Sequence, residues 1–374
     1  MTTKTLLFIF GTRPETIKMA PLILAAQQHP DFTPKVCLTG QHKEMVTPIL
    51  DFFSIRPDYS LNVMTHNQTL SSLSAKLIEA LDPIIEDSSP DTIIVQGDTS
   101  TALMGALVGF YHKIPITHLE AGLRSHNIYS PFPEEANRKL IGSLTTIHLP
   151  PTKKAADALK EEGIKDNIFT VGNSVIDALQ IGLATIQKKP EKYSEHISKL
   201  NIPSKSTIIL VTGHRRESFG EPFEELCKSL KHIASTFPEC HIVYPVHLNP
   251  NVQNVVNKKL SNISNIHLIP PLDYPELLFL LNESYIVITD SGGIQEEAPS
   301  LGKPVIVTRD VTERTEGIDA GTAKLVGTNA DIIIENVTTL LTDRDAYNTI
   351  SKTTNPYGDG TTSQKVLECL KKSL

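Results

Sequence analysis

Three carboxylates stand where a proton could change hands. Asp98 lies in Gln96-Gly97-Asp98-Thr99 and Glu120 in His118-Leu119-Glu120-Ala121-Gly122-Leu123-Arg124. Glu134 lies in Pro131-Phe132-Pro133-Glu134-Glu135, just ahead of Asn137 and Arg138. Each ends an apolar run or follows one closely. Crowding and burial at such places raise a carboxyl pKa toward neutrality, which proton transfer requires. The plainer reading of any single one is a helix cap, or an ion pair with Arg124 or Arg138. All three at strand ends are harder to assign to capping alone.

Other segments are suited to anions. Gly11-Thr12-Arg13-Pro14-Glu15, followed by Lys18, has the Thr12/Glu15 spacing of a capping box and a proline fit for a first helical turn. A helix start there offers N–H groups to a phosphate, and Arg13 adds a forked charge; an ordinary capped helix is the alternative. Asp290-Ser291-Gly292-Gly293, then Gln295-Glu296-Glu297, lets the backbone approach a pyrophosphate, with Glu297 one turn on for ribose hydroxyls. The alternative is a plain glycine-rich turn. Lys303 and Arg314 downstream add positive potential. His214, beside Arg215 and Arg216, is placed to donate to a phosphate oxygen, and His247 holds the same position after its own strand; a half-exposed histidine in a charged loop is the competing reading. No G-x-G-x-x-G follows the first strand of either half, and no phosphate-loop lysine motif occurs, which weakens oxidoreductase and NTPase readings. Histidines and carboxylates show no metal-ligand spacing, so no metal is expected.

The elements that must position these groups alternate along the chain. Short β-branched runs predict strands at Thr5–Phe10, Lys35–Leu38, Thr92–Gln96, Ile114–Leu119, Thr146–Leu149 and Ile168–Val171. A second series falls at Thr207–Val211, His241–Val246, Asn265–Ile269, Tyr285–Thr289, Pro304–Val307 and Ala323–Val326. Continuous apolar runs separated by helical patterns mark parallel strands covered on both faces. The fold class is therefore α/β, with two Rossmann-like doubly wound sheets whose ligands bind beyond the carboxyl ends of the strands. A length of 374 residues fits two domains, divided near Val171–Ser174, and Lys188–Ser206 reads as a surface excursion. Pro356, Gly358 and Gly360 make a second break before a helical segment, Thr362–Leu374. The net charge of −7 argues against nucleic acid as a partner. Four scattered cysteines suggest free thiols; Leu6–Phe10 is too short to span a membrane and lacks the basic lead-in and small-residue cleavage site of a signal peptide, so a cytoplasmic location is the default expectation.

Taken in order from Gly11 to Gly327, these segments resemble the bacterial non-hydrolysing UDP-N-acetylglucosamine 2-epimerases. The resemblance rests on GTRPETIKMAP, GQHKEM, VQGDTST, HLEAGLRS, PFPEEANR, GHRRESFGEP, PVHLNP, TDSGGIQEEAPSLGKPV, TERTEG and AGTAKLVG. It implies a GT-B-like fold whose two halves, 1–172 and 173–355, face a central cleft, with UDP held chiefly by the second and the helix of 356–374 packing back on the first. It also implies that Arg13, Lys18, Asp98, Glu120, Glu134 and His214 act in catalysis or lie near the phosphates. Ser291, Gly292, Gly293, Glu297 and Arg314 match the UDP-binding set, joined by Arg13, Lys18 and His214. Leu272 and Leu277 replace the Gln and Phe usual near the uridine, which puts those base contacts in question. Gln41, His42, Gln68, Arg215 and His247 match an activator site for a second UDP-sugar, but Asn67 and Glu44 depart from its pattern. Thr315 replaces a usual proline and bears on loop stiffness.

The implied reaction is reversible epimerisation at carbon 2 of UDP-N-acetylglucosamine, giving UDP-N-acetylmannosamine for surface polysaccharide. UDP leaves to give a 2-acetamidoglucal and adds back, with no nicotinamide or metal. A homodimer is the family expectation. Rival readings are a hydrolysing epimerase, an epimerase of a modified UDP-sugar, a glycosyltransferase needing an acceptor site, and a sugar-nucleotide sensor.

Overall fold

A computed structural model describes residues 3–65, 68–203, 205–213 and 220–374. Asn67, His214 and Arg215 lie outside the described residues. The chain divides into two compact units, Met1–Ala178 with Tyr357–Leu374, and Leu179–Pro356. The division falls within the helix Ser174–Gln187.

The first unit is built on β1 (Lys4–Phe10), β2 (Phe32–Leu38), β3 (Tyr59–Ser60), β4 (Thr92–Gln96), β5 (Ile116–Leu119) and β6 (Ile147–Leu149). They form one parallel sheet in the order β3-β2-β1-β4-β5-β6. The second unit contains β7 (Thr207–Thr212), β8 (Cys240–Pro245), β9 (Ile266–Ile269), β10 (Ile286–Thr289), β11 (Val305–Val307) and β12 (Ala323–Leu325). Its order, β12-β11-β10-β7-β8-β9, repeats the same winding.

Burial explains why the strands are apolar without alternation. Leu6 through Phe10 and Ile93 through Val95 are wholly buried, because helices cover both faces. In the first unit Leu7, Ile9, Ile93 and Val95 pack against Leu73, Leu77 and Leu81 of helix Leu70–Ser88. In the second, Ile209, Val211 and Ile242 meet Leu226, Leu230 and Ile233 on one face. Leu210, Val243 and Val287 meet Leu280, Leu281 and Ile294 on the other.

One expected strand is not formed, and one observed strand was not expected. Ile168–Val171 reduces to a single bridge, His148 to Ile168, since its neighbour β6 is only three residues long. The sixth strand is instead β3, whose two residues include a serine and carry no apolar run to announce it. The surface excursion of 188–206 holds two one-turn helices, Pro190–Tyr193 and Glu195–Ser198.

Helix Thr362–Ser373 packs on helix Arg13–Gln28 and buries Val366, Leu367 and Leu370. Its start is capped from a distance. Asp177 accepts from the N–H groups of Ser363 at 2.7 Å and Thr362 at 3.2 Å. A carboxylate at a helix N-terminus is favoured by both the free donors and the dipole. Asp177→Ala strands two buried donors and should cost about 2–4 kcal/mol of stability, read as a lower urea midpoint; an unchanged midpoint would refute the cap.

His118 and His148 are register partners on β5 and β6, and both are buried. Burial pushes each imidazole down to about 4 from 6.5. The fold therefore holds them neutral while the unfolded chain takes up protons near pH 6.5, so stability falls as pH drops from 6.5 toward 4. Buried Glu15, whose carboxyl is pushed up by burial, works in the opposite sense. The histidine contribution is isolated by His148→Gln, which should flatten the decline in urea midpoint between pH 7 and 5 by up to about 2 kcal/mol. Equal slopes for the two proteins would count against it.

Candidate functional site

In each sheet the winding reverses at one place: between β1 and β4 in the first, and between β7 and β10 in the second. Connections leave such a point in opposite directions and open a crevice beyond the strand ends. The polar segments that drew notice in the sequence emerge there or at the adjoining strand.

Gln96 pairs with Leu119 in register, so Asp98, two residues past β4, and Glu120, one past β5, leave the sheet side by side. Glu120 has φ +64°, a left-handed conformation that costs a residue with a side chain and is typical of functional sites. Its Oε2 accepts from Lys18 Nζ, in an ion pair whose side chains are each only 10% exposed, and from Gln96 Nε2 at 2.7 Å. Gly122, at φ +87°, is required: a Cβ there would stand 2.1 Å from the carbonyl oxygen of Ala155. Arg124 turns away and grips Glu162 with two bonds of 2.8 and 2.6 Å.

Asp98 is held from several sides. Arg138 donates to its Oδ2 through Nε at 2.8 Å and lies 2.7 Å away through Nη2. Asn137 Nδ2 donates to its carbonyl oxygen at 2.7 Å, and His118 Nε2 lies 2.7 Å from the carbonyl oxygen of Gly97. With His118 neutral, that nitrogen carries the proton and donates. Arg138 and Asn137 belong to helix Glu134–Leu144, whose first residue is Glu134. Glu134 Oε2 is buried and, among the described residues, meets no hydrogen-bond partner. Buried Glu135 braces the approach to this helix by accepting from Ser125 N at 3.0 Å, His126 N at 3.2 Å and Arg138 Nη1 at 3.2 Å.

The start of helix Arg13–Gln28 carries a capping box of its own. The N–H groups just ahead of the helix are engaged by its own Glu15. Oε2 of Glu15 accepts from Gly11 N at 3.1 Å, Thr12 N at 2.8 Å and Thr12 Oγ1 at 2.8 Å. The capped-helix alternative describes this turn. Arg13, first in the helix, is half-buried, while Lys18 is buried against Glu120.

In the second unit Ser291 stands at the N-cap of helix Gly292–Glu297, beyond β10. Arg314 lies across this helix start; a Cβ on Gly292 would come within 3.2 Å of its guanidinium. Glu296, buried, accepts from Arg314 Nε at 3.0 Å and fixes that pose. Glu297 is also buried, with Tyr274 Oη 3.5 Å from its Oε1. Leu272 and Leu277 pack into the apolar core of this unit, the first 8% exposed.

Of the residues matched to an activator site, Gln41 accepts from Thr101 Oγ1 at 3.0 Å and Gln68 from Thr65 N at 3.1 Å. His42 precedes helix Lys43–Phe52, its pKa lowered by burial, and its backbone N–H donates to Gly11 O at 2.9 Å. His247 is exposed and its Nδ1 accepts from Asn249 N at 3.1 Å. Sequence reasoning considered Arg138 only as a competing explanation for a carboxylate, and passed over Gln96, Asn137, Glu135 and the His118 ring. The signal available was their adjacency to the marked carboxylates. Among the described residues no group of three or more His, Cys, Asp or Glu side chains is placed to hold a metal ion.

The sequence model of the family described as UDP-N-acetylglucosamine 2-epimerase matches residues 24–371. The UDP-N-acetylglucosamine 2-epimerase of Yersinia pestis is 50% identical over 367 residues, covering 98% of each chain. The crystal structure of the Neisseria meningitidis UDP-GlcNAc 2-epimerase bound to UDP-GlcNAc is 44% identical, with a TM-score of 0.90 over 98% of this chain and all of that one. The Methanocaldococcus jannaschii enzyme in complex with UDP-GlcNAc and UDP is 31% identical, with a TM-score of 0.82 over 98% of this chain and 99% of its own. The two parallel sheets thus share the GT-B-like fold of these enzymes, and the chain belongs to the UDP-N-acetylglucosamine 2-epimerase family.

Proposed function

We propose that this chain interconverts UDP-N-acetylglucosamine and UDP-N-acetylmannosamine by eliminating UDP to a 2-acetamidoglucal and adding it back. The observation that carries the proposal is the set of three carboxylates at adjoining loops of the first unit, two held by cations and one with a buried oxygen that meets no hydrogen-bond partner among the described residues. Family membership supplies the substrate.

The chemistry explains why such a set is needed. The hydrogen on carbon 2 is not next to a carbonyl, so its removal alone would leave a costly carbanion. Breaking the bond from carbon 1 to the UDP oxygen as that hydrogen leaves forms the double bond of the glucal instead. Return of a proton to the opposite face, with UDP re-adding at carbon 1, inverts the centre. One group must accept a proton and another must deliver one; Asp98, Glu120 and Glu134 are assigned these tasks. Arg138 occupies Oδ2 of Asp98 and leaves Oδ1 to the substrate. Lys18 and Arg13 add positive charge near the departing pyrophosphate, and the family resemblance adds His214. Ser291, Gly292, Gly293, Glu297 and Arg314 of the second unit are assigned to UDP. Stabilising charge that develops on a leaving group is commonly the largest catalytic contribution. Each step needs only proton transfer and charge stabilisation, so neither nicotinamide nor metal enters.

Leu272 and Leu277 pack into the core of the second unit and bring no hydrogen-bonding side chain to the uracil end. Cytoplasmic location and a homodimer complete the proposal. The unpaired state of all four cysteines suits a reducing compartment, and no described helix is long and apolar enough to cross a membrane.

In heavy water the enzyme should place deuterium at carbon 2 of a UDP-linked mannosamine product, seen by NMR. Free sugar, or product without deuterium, would overturn the mechanism. Asp98→Asn and Glu134→Gln should each lower turnover by about 100- to 10,000-fold. Near-normal turnover in both would remove these carboxylates from the chemistry.

A further inference from the structure

Glu15 is a buried ionisable group beside the site that no step above uses. It is 1% exposed, and among the described residues no cation pairs with it. A lone cap would need one acceptor, yet Glu15 spends its oxygens on two different loops. Oε2 takes the donors of Gly11 and Thr12 after β1. Oε1 takes the hydroxyl of Thr99, after β4, at 2.7 Å. Thr99 is the residue next to Asp98, and its Oγ1 also accepts from Ala102 N, at 3.0 Å, as the N-cap of helix Ser100–Tyr111.

We infer that Glu15 is a positioning residue for the reaction: its carboxylate stands in for a bound phosphate at the start of helix Arg13–Gln28 and ties the loop of Arg13 to the loop of Asp98. The inference rests on the reading that Asp98 transfers a proton. The place it fills is the one an open α/β sheet offers to an anionic ligand, a helix N-terminus at the point where the winding reverses. Burial pushes the Glu15 carboxyl up, and the bonds from Thr99, Thr12 and Gly11 oppose that shift. A buried carboxylate satisfied only when both loops supply donors holds both loops in place, since withdrawal of either strands a charge in a dry site. The tie joins two loops that both carry groups of the proposed reaction, so its loss should register in turnover before it registers in binding.

Two variants test this by steady-state kinetics and thermal melting. Thr99→Val cuts the tie at one end and leaves the bonds of Glu15 to Gly11 and Thr12 intact. It also removes the cap of helix Ser100–Tyr111, so Thr99→Ser, which keeps both bonds, is the control and should keep the parent kcat. Thr99→Val should lower kcat about ten-fold with KM within about three-fold, because sub-ångström misplacement of a reacting group acts on the chemical step. Glu15→Ala should lower kcat about 100-fold, and millimolar formate, a carboxylate small enough for the vacated place, should restore part of it. Formate should do nothing for Asp98→Asn. The inference is overturned if Thr99→Val keeps the parent kcat, or if Glu15→Ala loses activity only as its folded fraction falls and formate recovers none. An Asp98→Asn enzyme with normal turnover would defeat the underlying reading instead, whereas an inactive Asp98→Asn beside fully active Glu15 and Thr99 variants would defeat the tie alone.

Discussion

The pairing of β1 with β4, and of β7 with β10, is the constraint on which the site depends. In both places strands distant in sequence lie side by side in parallel, and the chain leaves the pair in opposite directions. Polar backbone can surface there without breaking a ladder, and helix starts flank the opening. Every carboxylate argued to move a proton hangs from β4 or β5. Register matters because the next pairing inherits it: with Gln96 opposite Leu119, Asp98 and Glu120 emerge together. A slip of one residue would move one carboxylate by about 3.3 Å relative to the other and turn each side chain of the strand to the opposite face. The fully buried apolar stretch from Leu6 to Phe10 and its neighbours makes such a slip costly.

The two units share one winding and use it differently. After β4 the helix start reads Thr99-Ser100-Thr101, and after β10 it reads Ser291-Gly292-Gly293. In the first, side chains fill the approach: Thr101 Oγ1 reaches Thr39 Oγ1 and Gln41, and Thr99 reaches Glu15. In the second, buried Gly292 makes room for the Arg314 guanidinium laid across the helix start, and Gly293 faces open space. A crevice filled with the protein's own carboxylate is suited to holding proton-transfer groups still. One lined by glycine and a guanidinium is suited to a diphosphate. The division of labour proposed for the two units rests on which residues stand at equivalent turns.

How much of this could be read from sequence depended on the length scale of the signal. Strands buried on both faces announce themselves as apolar runs, so eleven of the twelve observed strands overlap expected ones; β3, two residues with no such run, does not. Asp98, Glu120 and Ser291 were legible because they directly follow such runs. Glu15 was legible as a cap but not as a tie, since the hydroxyl that takes its second oxygen is 84 residues away in sequence. The same distance problem hid the brace of Asp98 by Arg138 and Asn137, about 40 residues on. The first helix start shows the limit most clearly. Thr12 and Glu15 mark a capping box and a phosphate cradle equally well in sequence, and only the direction of the Glu15 side chain distinguishes them.

Around Asp98, separate elements converge on one three-residue turn. His118 from β5 binds the carbonyl of Gly97, Asn137 that of Asp98, Arg138 the carboxylate, and Glu15 the hydroxyl of Thr99. Each partner is itself buried, and three of them are charged or titratable. Replacing such groups with well-packed apolar side chains would often stabilise a fold, so stability alone does not account for them. What they share is the effect of fixing one carboxylate in position before substrate arrives. In the proposed reaction, a proton-transfer carboxylate held this way would lose little on reorganising when the carbon–hydrogen bond breaks or forms. Flexible alternatives would have to order the turn during the reaction, at the cost of backbone entropy for each residue fixed. The density of polar ties around Gly97–Thr99 is therefore best understood as preorganisation, established when the chain folds rather than when it turns over.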